Sequence, residues 1–199
     1  MIHILALVPL FILISDWAND ELTANPIQYL TLRTGKTALR LLTLSVAVTP
    51  LIFLTGRREL NPARRLLGLY AALYASMHFS IFVGLDYFFD WELIKEVIFE
   101  KPYVLAGFGA FIIISVMAIT STKGWKRRLK KKWKPLHRFV YLAALLVTLH
   151  YIWLVKSDIR EPLIYGGVML IFLLLRIPAV KSVITNFKKG KKSAKISKA

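Results

Sequence analysis

Two of the four histidines in this 199-residue chain, His78 and His150, sit deep inside long apolar runs. An ionisable side chain in hydrocarbon is costly, so such a residue marks a functional site and raises the question of its partner. Two imidazoles on separate helices at one depth suit the axial coordination of a heme iron. The alternative for each is a core histidine hydrogen-bonded to a backbone or hydroxyl group, and two at matched depth would each need that explanation.

The elements that must position these rings are six apolar runs, at about 2–18, 36–54, 66–89, 103–121, 136–155 and 162–180. Each approaches the roughly 20 residues that a membrane-crossing helix needs. With 56% hydrophobic residues, the fold class expected is all-α, a polytopic six-helix transmembrane bundle. The domain expected is 1–187, followed by a basic tail, 188–199, disordered or lying on anionic lipid.

A formal charge of +17 raises the question of nucleic acid, and the placement of the charges answers it. Arg57, Arg58, Arg64 and Arg65 follow the second run against Glu59 alone, and the link after the fourth carries eight Lys and Arg between Lys123 and Lys134 with no acid. The link after the third run is acidic, with Asp86, Asp90, Glu92, Glu96 and Glu100 against Lys95 and Lys101. Basic and non-basic links alternate, as the positive-inside rule expects, which puts both termini in the cytoplasm and leaves no call for a nucleic-acid partner. The first run lacks a basic leader segment and a small-residue cleavage site, so it is expected to remain as a helix. The absence of cysteine excludes disulfides and thiolate-held iron–sulfur clusters. No nucleotide-binding motif and no internal repeat is evident.

Depth follows from helical rise. His78 lies thirteen residues beyond Arg65, roughly 20 Å in, and His150 sixteen beyond Lys134, roughly 24 Å in. Both fall in the outer half of a hydrocarbon core about 30 Å thick. Ala75 and Ala71 precede His78 by three and seven positions, with Ala72 and Ser76 alongside, and Ala143 precedes His150 by seven, leaving room for a flat ring. Arg40, one turn inside the outer end of the second run, is a buried charge that would pair with a heme propionate or else snorkel outward, with Arg33 and Lys36 just beyond it.

His137 is near the cytoplasmic interface, three residues past Lys134. It could ligate a second heme, contact a flavin or quinone, or cap the interface. It stands about 140° round an ideal helix from His150, and the third run offers only Arg64 and Arg65 where a second-heme partner would be needed. His3 has no assigned role.

The order Arg33-Thr34-Gly35-Lys36-Thr37-Ala38-Leu39-Arg40, then Arg64-Arg65-Leu66-Leu67-Gly68-Leu69-Tyr70 leading to Met77-His78, resembles the MsrQ family (older name YedZ). Leu136-His137-Arg138-Phe139-Val140-Tyr141, His150-Tyr151-Ile152-Trp153 and Pro162-Leu163-Ile164-Tyr165 extend the likeness over nearly the whole chain. The resemblance implies a ferric reductase-like membrane domain with b-type heme in the bacterial inner membrane. It implies that electrons from a cytoplasmic flavin reductase or from quinol cross to MsrP, a periplasmic molybdopterin enzyme that reduces methionine sulfoxide in oxidised proteins. It also implies FMN, which no residue here independently indicates.

His78 and His150 would then be axial ligands, Arg40 a propionate partner, and Trp133, His137, Arg138 and the basic fourth link the electron-input side. The acidic link 86–100 would help dock a partner or simply be solvated. The chain itself is expected to carry electrons rather than make bonds. Two rivals stay open. A ferric or cupric reductase-like cytochrome b would favour metal-binding residues on the outer loops, where there are carboxylates but no His, Cys or Met cluster. A small proton-coupled transporter would favour a polar stripe between the histidines, where Leu, Val and Phe dominate.

Overall fold

The computed structural model describes residues 2–186; the expected basic tail, 188–199, lies outside the described residues. Among the described residues the chain is helical and contains no strand. The six apolar runs correspond to α1 (Ile2–Ala18), α2 (Pro26–Thr55), α3 (Asn61–Ile81), α5 (Pro102–Ile119), α8 (Val140–Leu154) and α9 (Arg160–Leu174). The acidic link holds α4 (Trp91–Glu100), and the basic link holds α6 (Lys123–Leu129) and α7 (Trp133–Leu136). The protein is an all-α, multi-pass membrane protein. Among the described residues four segments are long and apolar enough to cross a membrane, or five if the bent pair of α9 and Pro178–Asn186 is one span, and α1 is apolar but only 17 residues long.

Local chemistry explains the departures from the expected boundaries. The second helix begins ten residues before the expected 36, because Asn25 accepts the amide of Gln28 at 3.1 Å and Pro26 supplies a ready first turn. It ends where Gly56, at φ +74°, returns its amide to Ile52. The sixth run is not continuous: α9 stops at Leu174, and Pro178–Asn186 turns off at 76°. After α3 the helix widens into a π turn, Phe82–Asp86, followed by Phe88 and Phe89 at φ +48° and +61°. Asp90 then caps α4 by accepting the amides of Glu92 and Leu93. Ile94, Val97 and Ile98 bury one face of α4, two of them packing with Val83, so the acidic link is a folded cover at this end of the bundle.

Packing is organised as two hairpins, α2 against α3 and α5 against α8, joined along α3 and α5. Their register corrects the expectation of no internal repeat. Thr31, Gly35, Ala38, Ala71, Ala72, Leu73, Ser76 and His78 of the first hairpin correspond to Tyr103, Gly107, Ala110, Ala143, Ala144, Leu145, Thr148 and His150 of the second, each pair 72 positions apart. The contacts repeat as well as the letters. The Ser76 hydroxyl donates to the carbonyl of Ala72 at 2.9 Å, and that of Thr148 to the carbonyl of Ala144 at 2.8 Å. Ala71, Ala72, Ala143 and Ala144 are all buried, and these small residues allow neighbouring helices to approach closely.

The hairpins differ at the opposite end. Pro50 sits inside α2 and has no N–H for the carbonyl of Val46. The Arg176 guanidinium fills that gap, donating from Nη2 to the Val46 carbonyl at 2.6 Å and to Thr49 Oγ1 at 3.2 Å.

Candidate functional site

The two hairpins bring their histidines together. The rings of His78 and His150 have centroids 6.2 Å apart and planes 82° from parallel. Each ring is held by the partner helix of its own hairpin. His78 Nδ1 donates to the Thr31 carbonyl at 2.9 Å, and His150 Nδ1 to the Tyr103 carbonyl at 2.7 Å. A carbonyl only accepts, so in both neutral rings the proton is on Nδ1 and Nε2 carries the free lone pair. A carbonyl on the opposite ring nitrogen fixes the tautomer and orientation that an imidazole needs to bind a metal.

Glycine makes the close approach possible. A Cβ at Gly35 would lie 3.0 Å from His78 Nδ1, and one at Gly107 only 2.6 Å from His150 Nδ1. Each glycine stands four residues after the accepting carbonyl, so the ring lies against bare backbone one turn along the helix. None of these four positions was assigned a role from sequence. The available signal was the recurrence of one glycine-to-histidine spacing, visible once His78 and His150 are compared with each other.

The cavity beside the rings includes Ala75, Leu39, Ile114, Val147, Phe79 and Phe111. The separation suits one metal ion bound by both rings: two metal–imidazole bonds of roughly 2 Å and two ring radii of roughly 1.2 Å span about 6 Å. Among the described residues no group of three or more His, Cys, Asp or Glu could hold a metal ion. A largely apolar slot beside two neighbouring imidazoles fits an iron macrocycle, which brings four ligands of its own.

The other residues singled out in the sequence lie apart from this pair. Arg40 does not line the histidine cavity; its Nε donates to the hydroxyl of Tyr165 of α9 at 3.0 Å. One turn earlier, Lys36 does line it, with Nζ 2.5 Å from Glu161 Oε2 of α9. Lys36 and Arg40 lie one turn apart on the same face of α2 and line a second cleft together, but only Lys36, next to Gly35, also reaches the histidine cavity.

His137 occupies a 3₁₀ turn before α8. It stacks on Trp133 with centroids 4.0 Å apart, and its Nε2 is 3.2 Å from Thr120 Oγ1. Trp133 Nε1 donates to the Thr120 carbonyl at 3.0 Å, and Lys126 lies over its ring. The position 72 residues before His137 is Arg65, so no second imidazole answers it from α3. His3 pairs with the Tyr70 hydroxyl at 2.8 Å.

Comparison with known proteins gives a consistent set of likenesses. Residues 34–148, which include His78 and His137 and end two residues before His150, match the family described as ferric reductase like transmembrane component. The chain is 43% identical over 183 residues to the protein-methionine-sulfoxide reductase heme-binding subunit MsrQ of Xanthomonas euvesicatoria pv. vesicatoria (strain 85-10), covering 89% of this chain and 84% of that one. It is 47% identical over 159 residues to the MsrQ of Xanthomonas campestris pv. campestris (strain 8004), covering 80% and 73%. With the MsrQ of Herminiimonas arsenicoxydans the identity is 41% over 181 residues, covering 89% and 83%. No solved structure matches the chain.

Proposed function

Because this chain belongs to the MsrQ family of ferric reductase-like transmembrane proteins, we propose that it is the heme-binding electron-transfer subunit of a protein-methionine-sulfoxide reductase system. It crosses the bacterial inner membrane as a six-helix bundle with both termini cytoplasmic, the orientation favoured by the alternation of basic links. The observation that carries this reading is the pair of imidazoles 6.2 Å apart, each with Nδ1 bonded to a carbonyl of its hairpin partner.

His78 and His150 would hold the iron of one heme b, each with its Nε2 lone pair free to ligate. A heme bound there supplies a one-electron couple in which iron changes valence with no substrate attached. The Thr31 and Tyr103 carbonyls keep both rings in the ligating tautomer and fix their orientation. Leu39, Ile114, Val147 and the phenylalanines exclude water, which lets burial help set the potential.

On the cytoplasmic side, Trp133 stacked on His137, with Arg138 and the lysines of 123–134, is the surface an electron donor meets: a flavin reductase, its FMN, or quinol. On the periplasmic side, α4 and its acidic residues lie over the histidine end of the bundle, where MsrP docks to receive the electron. His137 belongs to the donor surface in this scheme, not to a second heme.

The test is an optical spectrum of the purified chain in detergent, with and without dithionite. A b-type spectrum that sharpens on reduction is expected, and it should vanish in His78→Ala and in His150→Ala. Retention of six-coordinate, low-spin heme in both variants would rule out the ligand pair.

A further inference from the structure

The two hairpins present nearly identical ligating units, so the histidines alone cannot tell a macrocycle which way round to sit. The residue after each glycine breaks that symmetry. In the first hairpin it is Lys36, in the second Phe108, and both line the histidine cavity. Phe108 belongs to an aromatic wall: its ring is 5.9 Å from that of Phe79, which lies 4.4 Å from Phe111. Lys36 belongs to a polar corner with Glu161 and Tyr151, the latter also lining the cavity.

The corner is open on one side, with side-chain exposures of 33% for Lys36 and 42% for Glu161. An ammonium has three donors, and Glu161 and Tyr151 use at most two of them. Arg40, bonded to Tyr165, adds a second cation near the single carboxylate of Glu161. The corner therefore carries a net positive charge and a spare donor, both facing an apolar slot. The complement is a flat ligand with carboxylates on one edge and hydrocarbon on the other.

We propose that Lys36 receives the carboxylate edge of the heme, and that the contrast between Lys36 and Phe108 sets the orientation of the macrocycle. This rests on the heme reading above. Glu161 has a definite part in it: it competes with the incoming carboxylate for the same ammonium. If Lys36 and Glu161 were only a clasp between α2 and α9, esterifying the ligand's carboxylates would not matter to either residue.

The experiment uses that difference. Full-length apoprotein in detergent is titrated with hemin and with hemin dimethyl ester, following the low-spin absorption band. The unaltered chain should prefer the free acid by about tenfold, the scale of one charge-assisted hydrogen bond. Lys36→Gln should bring the ratio close to one. Glu161→Gln, which removes the competitor, should keep the preference or raise it. A ratio unchanged by Lys36→Gln overturns the proposal. So does a preference that falls in Glu161→Gln, a measurement that remains decisive if the Lys36 variant does not fold. Failure of the unaltered chain to form six-coordinate heme with either compound would instead remove the heme reading on which the proposal stands.

Discussion

The hairpin α2–α3 and the hairpin α5–α8 solve one problem twice and then diverge. At the histidine end they agree in detail: a carbonyl, a glycine one turn later, paired alanines and an imidazole. At the other end they part. The first hairpin carries α2 on through Pro50 to Thr55 and has Arg65 where the second has His137. Two rings packed this closely against bare glycine backbone leave little room for displacement, so the shared end keeps its residues in register. The far ends face different demands, one a helix continued past a proline, the other a basic, aromatic surface.

That comparison can be broken at its tightest point. Gly107 leaves less room than Gly35, since an added Cβ would meet His150 Nδ1 at 2.6 Å but His78 Nδ1 at 3.0 Å. Gly107→Ala should therefore lower heme occupancy of the purified protein by tenfold or more, the equivalent of about 1.4 kcal/mol. Gly35→Ala should cost only a few-fold, because a shift of a few tenths of an ångström relieves it. Equal losses in the two variants would mean that the hairpins are held more alike than their clearances indicate.

The divergent end offers a smaller effect. Arg176 donates to the carbonyl that Pro50 leaves without a partner, so Arg176→Leu should destabilise the protein by about 1–3 kcal/mol. Thermal unfolding in detergent reads this directly. Pro50→Ala in the same background should recover part of the loss, because it restores an N–H to the Val46 carbonyl. No recovery would show that Arg176 acts through its other contacts, such as the ring of Tyr141.

The smallest change is expected from His137→Ala. Its absorption spectrum should match that of the unaltered protein, while reduction by a flavin reductase slows several-fold. An unchanged rate would count against a place for His137 on the donor surface, and a halved heme content would indicate a second heme.

Much of the positioning was legible before any coordinates. The alternation of Arg57–Arg65, Asp86–Glu100 and Lys123–Lys134 around apolar runs placed His78 and His150 at a common depth, because charge near hydrocarbon is costly wherever it occurs. The repeat was harder to see. Its matches are mostly Ala, Gly and Leu, separated by apolar residues that are common throughout the chain, and only His78 and His150 stand out from that background. The acidic link read as a loop because five carboxylates obscured Ile94, Val97 and Ile98, whose spacing marks a buried helical face. Arg40 and Lys36 share one face of α2 and were distinguished only by their level along it, which depends on where α2 meets the histidine cavity.

Composition and order alone determined that this chain is a bundle of membrane-buried helices carrying two deep imidazoles, since hydrophobic length and charge placement act locally. Tertiary packing decided which carbonyl each imidazole meets, which cation faces the cavity and which helix satisfies Pro50's stranded partner. Those outcomes depend on contacts between segments 47 to 130 residues apart, set by helix rotation and by clearances of a few tenths of an ångström.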